Sequence, residues 1–151
     1  MKTTIIVLSL ATLALSACVK ERVIDGPGSG GGSTVAPLVV DQFMRAANQQ
    51  PPNLQAMGKL FGTKDGTAWD KWPRFEVETR MFAIARELKH QDFQVMSEQI
   101  VPGRMGEATQ LMVRVKINDK NYNVPFIMVK YKDNNWLIEQ IGIDVITKST
   151  R

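Results

Sequence analysis

The chain has 151 residues with 23% charged and 44% hydrophobic side chains, a formal net charge of +4 and a single cysteine. That length suits one domain with a real core. One thiol excludes an intrachain disulfide framework, and so small a positive balance gives no ground for a nucleic-acid partner.

The first segment is read from Met1. Lys2 supplies a short positive start, and Ile5 to Leu15 is an uncharged, mostly apolar run. It falls short of the roughly 20 residues that a membrane-spanning helix needs, and its length fits the apolar region of a secretory signal. The run ends in Leu15-Ser16-Ala17-Cys18. This segment resembles a bacterial lipoprotein signal, whose lipobox is a Leu, two small residues and a Cys. The resemblance implies residues 1–17 as signal peptide, a lipid thioether on the Cys18 sulfur and acylation, palmitate included, of the amine freed at Cys18. Burial of acyl chains at about 0.8 kcal/mol per methylene makes a multiply acylated terminus a lasting anchor. Cys18 is followed by Val19 and Lys20 rather than Asp. By the same resemblance this points to the outer membrane, with the domain facing the periplasm.

Residues 18–35 read as a lipidated tether. Gly26-Pro27-Gly28-Ser29-Gly30-Gly31-Gly32-Ser33 holds no side chain able to build a core, and a flexible chain from Val19 to Val35 reaches roughly 20–25 Å. The expectation is a spacer that keeps the domain clear of the lipid headgroups.

The folded unit is therefore 36–151, and its pattern puts helices first and strands later. Pro37 suits a helix start, and Val39, Val40, Phe43, Met44 and Ala47 recur at helical spacing up to Pro51-Pro52. Asn53 can cap a second helix carrying Leu54, Met57, Leu60 and Phe61, closed by Gly62 and a polar loop through Lys64-Asp65-Gly66. A third helix follows Pro73, with Phe75, Met81, Phe82, Ala85 and Leu88 expected on its buried face and Lys89 and His90 at its negative end.

From Phe93 the period becomes two. Strands are expected over 93–101, 108–117, 122–132 and 136–146. A two-residue turn at Asp119-Lys120 sets Val115 against Val124, Val113 against Phe126 and Leu111 against Met128, an all-apolar face. A turn at Asp133-Asn134 adds Leu137, Ile141, Ile143 and Val145 to that face and leaves Ile127, Val129 and Ile138 on the other. Pro125 is expected at a bulge.

Three helices on a curved antiparallel sheet of about four strands make an α+β domain. Val39-Val40-Asp41-Gln42-Phe43, Leu60-Phe61-Gly62 and Asn135-Trp136-Leu137-Ile138-Glu139-Gln140-Ile141 give it a resemblance to the NTF2-like (SnoaL-like) superfamily of cone-shaped domains, in particular its small lipoproteins of the DUF4878 type. The resemblance implies dimers through the outer sheet face, and it spans isomerases, dehydratases, binding modules and assembly factors. Fold alone selects none of these.

The chemistry-bearing residues are few. No metal-ligand spacing, glycine-rich phosphate loop or cofactor fingerprint occurs, so neither metal nor cofactor is expected. Glu139 is the one catalytic candidate, because the expected register sets it on the apolar face beside Met128, where desolvation suits a general base. The competing readings pair it with Lys130 at the sheet margin, or expose it through a one-residue shift in the turn. Trp69 and Trp72 either stack on a ligand at the cone mouth or plug the core. His90 reads as a solvated helix end, and Arg114, Lys116, Lys130 and Lys132 as a solvated face. The function expected is thus a non-enzymatic lipoprotein binding an envelope protein or a small apolar ligand. The alternatives are an isomerase or dehydratase using Glu139, or a structural homodimer.

Overall fold

The computed structural model describes residues 32–149. Cys18, the signal and all but the last residues of the tether lie outside them. No described helix is long and apolar enough to cross a membrane.

Helix α1 (Ala36–Asn48) buries Val39, Val40, Phe43, Met44 and Ala47, the stripe its spacing requires. Helix α2 (Leu54–Leu60) starts where Asn53 Oδ1 accepts the Ala56 N–H at 3.0 Å. The polar loop is a small hairpin of β1 (Gly62–Thr63) and β2 (Gly66–Thr67). A short helix α3 (Ala68–Lys71) follows, and then α4 (Arg74–Glu87). Four helices therefore precede the main sheet, not three, and a fifth comes after it. On α4 the buried set is Val77, Met81 and Ala85, continued by Leu88. Phe75 and Phe82, expected inside, are 81% and 55% exposed.

The sheet runs β3 (Asp92–Ile100), β4 (Ala108–Ile117), β5 (Lys120–Lys130) and β6 (Trp136–Ile141), antiparallel throughout and in that spatial order. The β4–β5 turn is Asn118-Asp119, both at positive φ (49° and 61°), one residue earlier than expected. Tight hairpins favour Asn and Asp at such angles. The slip shifts each pairing by two residues (Val113 faces Val124, Leu111 faces Phe126), so the core face survives intact. Pro125 sits in regular register opposite Met112. It is tolerated because β6 ends at Ile141, opposite Phe126, leaving no ladder beyond. There Gly142 N–H donates to the Pro125 carbonyl at 2.8 Å.

The last hairpin departs further. The turn carries Asp133 and Asn134 at positive φ (57° and 58°), where Asn135 N–H donates to the Lys132 carbonyl at 3.1 Å. Val129 faces Leu137, so Ile138 rather than Leu137 enters the main core. The register shifts between Ile127 and Met128, which leaves Glu139 as the extra residue of a bulge in β6. After Gly142 the chain turns helical in α5 (Asp144–Lys148), so the expected strand to Ile146 ends at Ile141. Ile146 still joins the core, now from a helix.

The outer sheet face is partly covered within one chain. Ala108, Val129 and Leu137 on it are already buried within one chain. The loop 101–107 lies along β5, where Lys130 N–H donates to the Glu107 carbonyl at 2.8 Å.

Candidate functional site

A cleft of about 610 Å³ lies between the C-terminal half of α1 and the first part of β3. From α1 come Asp41, Arg45 and Asn48, one helical turn apart, followed by Gln49. These positions are the polar side of the helix whose other side fills the core. From the other wall come His90 and Gln91, just before β3, and residues 92–95 of the strand. None of Glu139, Trp69 or Trp72 is among the lining groups.

Much of the cleft's polar chemistry is internally matched. Arg45 donates to both Asp41 oxygens at 2.8 and 3.1 Å, which raises the guanidinium pKa further. Gln91 clasps the β4–β5 turn, accepting the Asp119 N–H at 2.9 Å and donating to its carboxylate at 3.3 Å. His90 is half-buried, not a freely solvated helix end: its N–H donates to Asn48 Oδ1 at 3.2 Å, and its ring meets Phe93 edge-on at 5.2 Å. Its Nδ1 lies 2.7 Å from the Leu88 carbonyl. A carbonyl only accepts, so Nδ1 carries the proton, and in the neutral ring Nε2 is left as an acceptor.

What remains for a ligand is a set of neutral donors and acceptors, Gln49, Gln94 and the Asn48 amide, beside the carboxylate of Asp92. Among the described residues, no three His, Cys, Asp or Glu side chains gather at metal-binding distance. The arrangement can hold a polar ligand by hydrogen bonds. It offers no nucleophile paired with a base.

The cleft continues onto an open strand edge. Among the described residues, the backbone of 92–100 hydrogen-bonds to no element but β4. The opposite edge is closed. Ser33 pairs with β6 through its carbonyl, which accepts the Trp136 N–H at 2.7 Å, and Phe61 bridges to Ile138. Since strands stand about 4.8 Å apart, Ser33, one spacing beyond β6, lies some 19 Å across the sheet from the open edge.

The sequence-level candidates lie elsewhere. Glu139 projects from the β6 bulge and accepts two hydrogen bonds from Arg104 at 2.6 and 3.2 Å. The pair is half-buried, its side chains 36% and 28% exposed, and it raises the pKa of Arg104. The partner is therefore neither the apolar face near Met128 nor Lys130. Trp69 donates its indole N–H to the Gln55 carbonyl at 3.1 Å and packs against Gly58, where a side chain would strike the ring. Trp72 has the Arg80 guanidinium over its ring at 5.2 Å. Both tryptophans pack against the core.

A second, mostly apolar hollow of about 200 Å³ lies where Pro51 and Pro52 approach Phe82, with Arg86 and Lys89 at its rim. It accounts for one of the exposed phenylalanines of α4.

No family model matches the chain, and no curated protein does. Among solved structures it is similar to a DUF4783 family protein from Bacteroides uniformis, at 19% identity and a TM-score of 0.42, over 67% of this chain and 91% of that one. That family differs from the DUF4878 type expected, and a likeness of this degree carries no assignment.

Proposed function

We propose that this chain is a lipid-anchored envelope protein that acts by binding rather than by catalysis, through an NTF2-like α+β domain held at the outer membrane on its periplasmic side. Support for the anchor comes from Leu15-Ser16-Ala17-Cys18. Support for binding comes from the polar cleft, whose acid and base at Asp41 and Arg45 neutralise one another. The observation that carries the reading is the division of the sheet edges. The tether joins the sheet at β6, while the cleft and open strand lie at β3. A partner can then reach the cleft without contending with the anchor. The partner class is an envelope protein, since the large hollow is too polar for an apolar small molecule.

Two measurements test this. Mass spectrometry of the native N-terminus should find acylated Cys18 and no residue before it. Cys18→Ser should release the chain from membranes and reduce the partner recovered by crosslinking from membranes. An unmodified sulfur, or a partner recovered equally well without the anchor, removes the membrane-tethered reading.

A further inference from the structure

We infer that the β3 edge is a docking site for an extended, basic segment of a partner protein, which adds to the sheet as a fifth strand and lays its side chains along the cleft. This rests on the binding reading above and names the kind of partner. Nine consecutive residues (Asp92–Ile100) present an edge, and the backbone groups facing away from β4 have no partner among the described residues. Such a row repeats every second residue and is matched best by another extended backbone. The roughly 610 Å³ of open space beside residues 91–95 gives that backbone room.

Three observations choose the occupant. The chain's own tether already pairs with the opposite edge, at Trp136. A second copy is disfavoured by charge: β3 reads Asp-Phe-Gln-Val-Met-Ser-Glu-Gln-Ile, with two acids and no base. Self-pairing would gather four acids and no base in one two-stranded ribbon, with Asp92 opposite Glu98 when it is centred on Val95. Finally, Asp92 and Glu98 have no salt bridge among the described residues, whereas the Asp41 and Glu139 carboxylates do. Lys116 faces Asp92 across the ladder but directs its ammonium to Asp119 at 3.4 Å. Asp92 and Glu98 lie on opposite faces of the sheet, across from Lys116 and Leu111. Among the described residues Glu98 accepts only the Thr109 hydroxyl, at 3.0 Å. A Lys or Arg on each face of the incoming strand therefore supplies the missing charge. Met96, Ile100 and Met105, all exposed near the far end of β3, offer apolar contact to the same segment.

The test is site-specific photocrosslinking of the full, lipidated chain in its own cells, with the photoreactive residue at Gln94, at Met96, or at Asn123 on β5 as control. The expected result is adducts at Gln94 and Met96 but not at Asn123, mapping to one extended, Lys- or Arg-containing segment of another envelope protein. Asp92→Asn with Glu98→Gln, both on exposed side chains, should reduce the adduct about tenfold while circular dichroism is unchanged. Adducts to a second copy of β3, adducts to a glycan, equal yield in the neutralised variant, or no adduct at either position would overturn the inference. The crosslink repeated on Cys18→Ser separates the two ideas. Loss there alone faults only a docking that works without the membrane, and retention leaves docking intact while faulting the anchored reading.

Discussion

The two edges of the sheet are built in opposite ways. At β6 nearly everything is closed: Leu137 and Ile138 are fully buried, Ser33 and Phe61 bridge to the strand, and a bulge turns Glu139 onto Arg104. At β3 only Phe93 and Val95 are even half-buried, and every residue from Met96 to Ile100 is exposed. A long bare edge invites aggregation, and proteins ordinarily cover it or shorten it. Here the bulge between Val95 and Ser97 and the acids Asp92 and Glu98 discourage self-pairing, yet the backbone stays accessible. One edge holds the fold together. The other is kept open at some risk, which suits a surface that is used.

The sharpest way to break this contrast is to remove bulk from each edge. Ile138→Ala should cost about 2–5 kcal/mol in urea unfolding, because its side chain is wholly enclosed. Ile100→Ala, 66% exposed, should change stability by less than about 0.5 kcal/mol. Equal losses would mean that β3 is covered in solution. Behind the closed edge, Gly58→Ala drives a methyl into the Trp69 indole and should destabilise by about 1–3 kcal/mol, with a shift in tryptophan emission. A smaller effect is expected at the bulge. Glu139→Gln should cost about 1 kcal/mol, and a double-mutant cycle with Arg104→Ala should show the two coupled.

Smallest is a pH effect near α3. The Thr67 hydroxyl and N–H donate to Asp70 at 2.7 and 2.9 Å and hold its carboxyl below the usual carboxylate value. The stabilisation is therefore complete above the unfolded carboxylate pKa and is lost as pH falls through the lowered folded one. Asp70→Asn should flatten the acid limb of a stability-against-pH curve and leave the alkaline limb unchanged.

Periodicity made most of the elements legible. The spans of α1, α2, β3 and β4 follow closely from where apolar residues recur, and β4 runs from Ala108 to Ile117 as expected. Ambiguous periods misled elsewhere. On α4 Met81, Ala85 and Leu88 are buried as expected, but Val77 completes their stripe while Phe75 and Phe82 lie off it, and side-chain size favoured the phenylalanines. Ile143 and Val145 alternate like a strand, yet Ile143 and Ile146 also share a helical face, and the turn at Gly142 selected the helix. Glu139 was misplaced because a bulge is a property of two strands together and leaves no mark on one. The cleft was invisible for a similar reason. Asp41 and Arg45 are an ordinary helix pair until residues 90–95, some fifty positions later, close the other wall. A local signal existed only at His90, an imidazole between a helix end and the first strand.

Amide hydrogen exchange on the purified, full-length chain tests the division of edges most directly. The account predicts that amides of β6, Trp136 included, exchange slowly, while the outward amides of Asp92–Ile100 exchange quickly at every protein concentration. Protection of β3 equal to that of β6 in the isolated chain would show the edge already occupied and would contradict the account.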